Sequence, residues 1–329
     1  MTATLEEIGL DPVQALRLAR KRFKDRIGRH PRSYTSLAEL SADEAAHLVA
    51  DGLRFKLNPA AAKDRLRGRS VVLLFQKNST RTRSSFDAAA RQMGGSSTYV
   101  EWRTSNFTRA DLCDESRALS RFYDFIVARV DRHETIEVLK AESEVPVING
   151  LCDLMHPCQA LTDYLTLTEY FKDLRGLCLA YVGDNNNVCR SLAHGVGLFG
   201  IRMHIATPLE FRREEELTEI GRGSIQFFAR PSEAVAGADV VYTDTWISMG
   251  DEADEQRRLN AFSSYQVNDE LLEHAPPHCL VMHCLPALPG REISPTCLRS
   301  ERSLVFDQAE NRLHTQKALL SWLADINGM

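Results

Sequence analysis

Short apolar runs alternate with helix-like segments over most of the chain, and this alternation constrains the fold more than any other feature. Residues 71–75, 125–127, 177–182 and 280–283 are typical of buried strands, and helical patterns at 83–93, 158–170 and 191–199 lie between them. Strands separated by helices form parallel sheets that helices cover on both faces. The sequence therefore predicts an α/β protein whose sheets are mostly parallel and flanked by helices.

Length and charge narrow the class of protein. A chain of 329 residues favours two domains, since a domain typically takes about 150 residues. The formal net charge is −5, so no basic surface is expected and nucleic acid is not a predicted partner. The apolar runs are far shorter than the roughly 20 residues of a membrane-spanning helix. We therefore expect small-molecule ligands and no membrane partner.

The cysteines predict free thiols rather than a disulfide scaffold. The chain has 8 cysteines, none of them in a C-x-x-C pair, which is typical of a reducing compartment and predicts a cytoplasmic location. The dipeptides His278-Cys279 and His283-Cys284 lack the ligand spacing of structural zinc, so no metal is expected. Residues 1–31 form an N-terminal extension, in which Asp11-Pro12 is typical of the start of an amphipathic helix.

The first chemistry-bearing turn follows the apolar run 71–75. It contains Ser79, Thr80, Arg81 and Thr82, immediately before a predicted helix. Hydroxyl groups, a guanidinium and the unpaired N–H groups of a helix's first turn can together bind a phosphate or a carboxylate. The alternative is a capped helix with solvated arginines. Two arginines among three hydroxyl residues, directly after a buried strand, favour the anion site.

A histidine and an arginine end two other apolar segments. His156 precedes Pro157 at the start of a predicted helix, where the positive helix end favours a neutral imidazole. Such a ring can donate one hydrogen bond to a carbonyl oxygen, although an isolated histidine here is more often a cap or a core residue. Arg129 follows the strand at 125–128 and is either an anion ligand or an exposed edge residue.

The second half of the chain carries turns suited to a zwitterion. The turn 183–187 contains three asparagines but lacks the G-x-G-x-x-G pattern, which disfavours NAD binding. Its amides could bind a small zwitterion or simply form a turn. Asp244, after the strand at 240–243, could anchor an ammonium group. Cys284 ends a further strand, and its alternative is a buried apolar cysteine.

Taken in this order, the segments resemble those of the carbamoyltransferases over nearly all of residues 33–325. Segments 79–83 and 156–159 are similar to signatures that the aspartate and ornithine branches share, whereas 244–250, 283–286 and 310–312 are similar to the ornithine branch. The resemblance implies transfer of a carbamoyl group from carbamoyl phosphate to the side-chain amine of L-ornithine, giving L-citrulline and phosphate. It also implies arginine biosynthesis and no cofactor.

The same resemblance implies an organisation. It places a carbamoyl phosphate-binding domain at residues 32–155, with a C-terminal helix at 310–329 packing back onto it, and an ornithine-binding domain at 156–309. It further implies a homotrimer whose active sites lie at subunit interfaces.

Site roles also follow from the resemblance. The expected carbamoyl phosphate-binding residues are Ser79, Thr80, Arg81, Thr82, Arg129, His156, Gln159 and Arg312. The expected amino acid-binding residues are Asn187, Asp244, Ser248, Met249, Cys284 and Leu285. Within these sets, the residues expected to take part in catalysis are Arg129, His156, Asp244, Cys284 and Arg312.

One loop departs from the family pattern. Counted back from Arg129 without gaps, Ser105 stands where the family usually has a glutamine that reaches a neighbouring subunit's carbamoyl phosphate. Asn106 or Arg109 could substitute for it, or the loop 102–109 could recognise a different acceptor. The sequence therefore leaves open transfer to another diamino acid, and a non-catalytic carbamoyl phosphate-binding protein.

Overall fold

A computed structural model describes residue 11 and residues 30–247 and 254–329 of the chain. Nearly all of the N-terminal extension 1–31, including the helix predicted to begin at Asp11-Pro12, lies outside the described residues. Within the part of the chain that is described, no helix is both long and apolar enough to cross a membrane.

The first half of the chain forms a parallel sheet with the strand order β2-β1-β3-β4. Strands β1, β3 and β4 are almost wholly buried, as the apolar runs predict. The strands are β1 (Ser70–Phe75), β2 (Ser96–Glu101), β3 (Phe125–Arg129) and β4 (Val147–Leu151). The helices are α1 (Ala42–Leu57), α2 (Thr80–Gln92), α3 (Leu112–Leu119) and α4 (His133–Glu142).

The second half forms another parallel sheet, with the order β7-β6-β5-β8-β9. Its strands are β5 (Cys178–Val182), β6 (Arg202–Ala206), β7 (Ile225–Phe228), β8 (Val240–Thr243) and β9 (Leu280–His283). Its helices are α5 (Pro157–Phe171), α6 (Asn187–Phe199), α7 (Glu214–Gly221), α8 (Pro231–Val235), α9 (Glu255–Phe262), α10 (Asp269–Glu273) and α11 (Pro295–Leu298). The predicted α/β class, with two helix-flanked parallel sheets, is confirmed.

The last helix, α12 (Val305–Ile326), follows the second sheet and packs against α1, α2 and α5. It begins before the predicted position 310. Its buried face carries polar side chains as well as leucines, among them Gln308, Asn311 and Arg312. A helix that buries polar groups must supply them with hydrogen-bonding partners, and several of those partners lie at the site described below.

Helix α2 begins at Thr80, three residues before the predicted start, because Ser79 caps it. The Ser79 hydroxyl accepts a hydrogen bond from the backbone N–H of Thr82 at 3.3 Å. An N-cap residue satisfies one of the N–H groups that a helix's first turn leaves unpaired. The early start puts Thr80, Arg81 and Thr82 within the first turn, at the positive end of the helix.

Candidate active site

Six of the sequence-predicted residues lie together in one cleft between the carboxyl ends of the two sheets: Arg81, Arg129, His156, Asp244, Cys284 and Arg312. Arg81, on α2 beside the first sheet, interacts electrostatically with Asp244 and Cys284, which follow β8 and β9 of the second sheet. Arg129, at the end of β3, interacts with Arg81 and with Arg312 of α12. The residues come from distant parts of the chain, and the two parallel sheets bring them together at the edge where such sheets bind ligands.

Three arginines form the cationic side of the cleft. Arg129 and Arg312 are buried, and none of Arg81, Arg129 and Arg312 forms an ion pair with a carboxylate among the described residues. Burial and the positive charges of Arg312 and Arg81 lower the pKa of Arg129 to about 10. Burial also lowers the pKa values of Arg81 and Arg312. Buried cations that repel one another are stabilised by an anion, so this side of the cleft suits a phosphate.

Arg312 connects three helices. Its Nη1 donates to Gln159 Oε1 of α5 at 2.5 Å, and its Nη2 donates to Thr82 Oγ1 of α2 at 3.0 Å. Thr82 and Gln159 are themselves buried. The guanidinium is therefore held in one orientation before any ligand binds, which reduces the entropy lost on binding.

His156 is the N-cap of α5 and is buried among the arginines. Burial, followed by the positive charges of Arg312, Arg129 and Arg81, lowers its pKa well below the usual value. The imidazole is therefore neutral, as predicted, and burial and the charges of the arginines are the causes. Its Nδ1 is buried and has no hydrogen-bonding partner among the described residues. A neutral ring of this kind can donate to an oxygen that gains negative charge.

Asp244 supplies a negative charge on the opposite side of the cleft. Its Oδ1 accepts a hydrogen bond from Cys284 Sγ at 3.0 Å, and its Oδ2 accepts from Asn186 Nδ2 at 2.7 Å. Burial and the charge of Asp244 raise the pKa of the Cys284 thiol well above its usual value. The thiol is therefore a protonated donor, and the carboxylate is oriented by two neutral groups.

The turn after β9 is held by a buried histidine and a buried glutamate. His283 Nδ1 accepts from the backbone N–H of Leu285 at 2.8 Å, and His283 Nε2 lies 3.1 Å from Glu292 Oε1. These contacts hold Leu285 at φ 56°, a backbone conformation that costs an ordinary residue roughly 1 kcal/mol. Asp244, His283 and Cys284 have potential metal-ligand atoms within 4.8 Å of one another. Both ring nitrogens of His283 are already in use, which disfavours metal binding.

Of the predicted acceptor residues that the structure describes, Asn187 stands apart from this cluster. Asn187 Nδ2 donates to the carbonyl of Cys152 at 2.7 Å, and its neighbour Asn186 is the asparagine that contacts Asp244. Asn186 also caps α6, because its Oδ1 accepts from the N–H groups of Val188 and Cys189. Sequence reasoning missed Asn186. Ser248 and Met249 lie outside the described residues.

The loop 102–109 folds into two short 3-10 helices, Trp102–Thr104 and Asn106–Thr108. The rings of Trp102 and Phe107 pack with their centroids 4.6 Å apart, and Phe107 is buried in the first domain. Nearby, a cavity of about 430 Å³ opens beside the cap of α2. It is lined by Asn78, Ser79, Thr80, Arg83, Ser84 and Tyr99.

Sequence comparisons identify the class of protein that this fold and cleft define. Residues 32–169 match the carbamoyl-P binding domain of aspartate/ornithine carbamoyltransferase, and residues 175–323 match its Asp/Orn binding domain. The chain therefore belongs to the aspartate/ornithine carbamoyltransferase family and is a carbamoyltransferase.

Within that family, the chain is similar to proteins named ornithine carbamoyltransferase. The one from Archaeoglobus fulgidus is 43% identical over 292 residues, which are 87% of this chain and 95% of that protein. The one from Methanopyrus kandleri is 44% identical over 300 residues, covering 88% and 96%. The solved structure of the Pyrococcus furiosus ornithine carbamoyltransferase is similar at a TM-score of 0.83 and 39% identity, covering 88% of this chain and 96% of that one.

Proposed function

We propose that the protein transfers the carbamoyl group of carbamoyl phosphate to the side-chain amine of L-ornithine, giving L-citrulline and phosphate. The observation that carries the proposal is the charge separation across one cleft. Arg81, Arg129 and Arg312 form a cationic side with no ion pair to any carboxylate of the described residues, and Arg81 interacts with Asp244 and Cys284 across the cleft. The named relatives support ornithine as the acceptor.

In this proposal the cationic side binds the multiply charged anion. The N–H groups and hydroxyls at the start of α2 hold the phosphate together with Arg81, since a helix N-terminus favours an anion. Arg129, His156 and Gln159 act on the carbamoyl group, and Arg312 closes on it. The residues that would bind carbamoyl phosphate are Ser79, Thr80, Arg81, Thr82, Arg129, His156, Gln159 and Arg312.

The reaction needs stabilisation of one developing charge. The amine lone pair attacks the carbamoyl carbon, and the carbonyl oxygen gains negative charge as the tetrahedral intermediate forms. Arg129, neutral His156 and the Thr82 hydroxyl would donate to that oxygen, and each such donor contributes a few kcal/mol. The bond between carbon and the phosphate oxygen then breaks, and phosphate leaves.

The amine must lose a proton before it attacks. A lysine-like ammonium has a pKa of about 10.4, so forming the neutral amine at pH 7 costs roughly 4–5 kcal/mol. Asp244 and Cys284 would orient the amine, and the neighbouring arginines disfavour a further positive charge. The ammonium group loses one proton to solvent as it binds, and the second proton, released once the new C–N bond has formed, goes to the departing phosphate. Asn187, Asp244, Ser248, Met249, Cys284 and Leu285 would bind the acceptor.

The proposal extends to organisation and cellular role. The domains would comprise residues 32–155, with the final helix packed on them, and residues 156–309. The protein would act as a cytoplasmic homotrimer in arginine biosynthesis, with neither nucleic acid nor membrane as a partner. The open cavity beside the cap of α2 supports sites at subunit interfaces, because it leaves room for side chains of a second copy.

A panel of amines tests the acceptor. The purified protein is incubated with carbamoyl phosphate and, separately, L-ornithine, L-lysine, 2,4-diaminobutyrate and N-acetylornithine, and ureido products are quantified by mass spectrometry. Citrulline from ornithine, at a kcat/KM well above that of the other amines, is the expected result. A better reaction with another amine would overturn the acceptor, and binding of carbamoyl phosphate without any product would overturn the transfer.

A further inference from the structure

A buried aspartate on α5 lies between the two sides of the cleft and is not among the residues predicted to bind either substrate. Asp163 is fully buried, and its Oδ1 accepts from Gln159 Nε2 at 2.8 Å and from Gln308 Nε2 at 2.7 Å. Its Oδ2 accepts from the hydroxyl of Tyr242 at 3.0 Å. Three neutral donors on three elements thus converge on one carboxylate.

One arm of this network leads to the carbamoyl phosphate side. A glutamine amide can be turned either way, with its oxygen and nitrogen exchanged. Because Asp163 accepts from Gln159 Nε2, the oxygen of that amide faces Arg312, whose guanidinium also holds Thr82. The carboxylate therefore sets the amide orientation on which the position of Arg312 depends.

The other arm leads to the acceptor side. Gln308 Nε2 also donates to the hydroxyl of Tyr242 at 3.0 Å, and Gln308 Oε1 accepts from the backbone N–H of His283 at 3.1 Å. Tyr242 belongs to β8, which leads into Asp244, and His283 directly precedes Cys284. The same carboxylate is thus connected to the strand ends that carry Asp244 and Cys284.

We propose that ionised Asp163 is a positioning residue that fixes Arg312 on one side of the cleft and the ends of β8 and β9 on the other, so that the two substrates meet in register. This inference rests on the proposed function. A neutral carboxyl group carries a proton on one oxygen, which then donates instead of accepting, so Asp163 accepts from all three donors only when it is ionised.

Protonation of Asp163 provides the test. Burial raises the pKa of Asp163 to about 7, against the opposing effects of its hydrogen bonds and of Arg312. The titratable groups that face it are Arg312 of α12, Tyr242 of β8, Cys284 after β9 and Tyr164 of α5. The complete network is therefore present above pH 7 and is lost as the pH falls through about 7.

The experiment compares the full-length wild type with Asp163→Asn, measuring kcat/KM for carbamoyl phosphate from about pH 6 to 9 at saturating ornithine. We expect the variant to be at least about tenfold slower at the alkaline end, and to converge to within about twofold of the wild type at the acid end, where Asp163 is itself neutral. The part of the wild-type acid limb that titrates near pH 7 should be missing from the variant, whereas the part caused by deprotonation of the acceptor amine is common to both enzymes.

Thr166→Val is the matched control. Thr166 is buried one turn further along α5, and it accepts from Asn311 Nδ2 at 3.0 Å without touching this network. We expect it to lower Tm while leaving the shape of the pH profile unchanged. A deficit in Asp163→Asn that is the same at every pH, like that of a destabilised variant, would overturn the inference, and so would an unchanged enzyme.

A second variant keeps the test available if Asp163→Asn does not fold. Tyr242→Phe removes a donor that favours the ionised carboxylate, so the acid limb should move to higher pH; an unmoved limb would contradict the role. Calorimetric binding of phosphonoacetamide, an unreactive analogue of carbamoyl phosphate, follows the same variants without turnover. If the wild type makes no citrulline, the proposed function is wrong. If analogue binding has the same pH dependence in the wild type and in the variants, this inference is wrong.

Discussion

The two sides of the cleft carry opposite charges, and each side holds its charged groups with different hydrogen-bonding partners. The carbamoyl phosphate side concentrates three arginines, two of them buried, and holds Arg312 with neutral partners, Thr82 and Gln159. The acceptor side presents one carboxylate, Asp244, held by a thiol and an amide. Among the described residues, neither the three arginines nor Asp244 forms a direct ion pair, although Arg81 and Asp244 attract each other across the cleft. The charges are left to be neutralised by the substrates, an anion on one side and an ammonium group on the other.

The largest effect is expected on the cationic side. Arg129→Gln removes a buried donor to the oxygen that becomes charged, and kcat should fall by roughly 10²–10³-fold. Steady-state kinetics with both substrates varied would measure it. Arg69→Gln is the control. Arg69 pairs with Asp124 at 2.9 Å at the amino ends of β1 and β3, on the far side of the sheet from the cleft. Similar losses in the two variants would show that the arginine acts on the stability of the sheet.

Asp244→Asn tests whether ornithine binding can be weakened without weakening the binding of carbamoyl phosphate. Loss of a charge-assisted contact to the acceptor's ammonium group should lower kcat/KM for ornithine by roughly 50–100-fold. Phosphonoacetamide binding, measured by calorimetry, should change little. Asp239→Asn is the control. Asp239 precedes β8, at the opposite end of that strand from Asp244, and its carboxylate accepts from the backbone N–H of Cys178. An equal loss of analogue affinity in Asp244→Asn would break the comparison between the sides.

Cys284→Ala should have the smallest effect. The thiol contributes one hydrogen bond to Asp244, so its loss should lower kcat/KM for ornithine by roughly 2–10-fold. Because the pKa of Cys284 lies well above its usual value, the thiol stays protonated across the assay range, and the pH profiles of the two enzymes should run parallel. A variant with the full rate at every pH would remove the thiol from the mechanism.

The sequence predicts the buried strands well and the exposed edge strands poorly. β1, β3 and β5 are continuous apolar runs because both their faces are covered, and their positions agree with the prediction to within one or two residues. β2 and β7 lie at sheet edges and are mostly exposed or partly buried, and the sequence predicts neither, whereas the edge strand β9 is largely buried and agrees with the prediction. An edge strand has fewer neighbours to require apolar side chains, so its pattern is weaker.

The site shows a similar division. Arg81, Arg129, His156, Asp244 and Cys284 could be predicted because each stands in a turn or at the end of an apolar run. Which asparagine contacts Asp244 depends on the residue at which α6 begins. A run of three asparagines does not reveal that residue, so Asn186 could not be distinguished from Asn187. Asp163 and Gln308 could not be recognised, because their importance depends on contacts between distant segments. Their spacing of four residues from Gln159 and Arg312 is the one signal that the sequence offers.

The return of α12 to α1 and α2 has a consequence for synthesis of the chain. The first domain cannot cover its helices, or receive Arg312, until the ribosome has released a segment encoded after β9. During translation the second sheet can therefore close before the first domain is complete. Throughout that interval the nascent chain exposes the apolar surface that α12 covers in the finished protein.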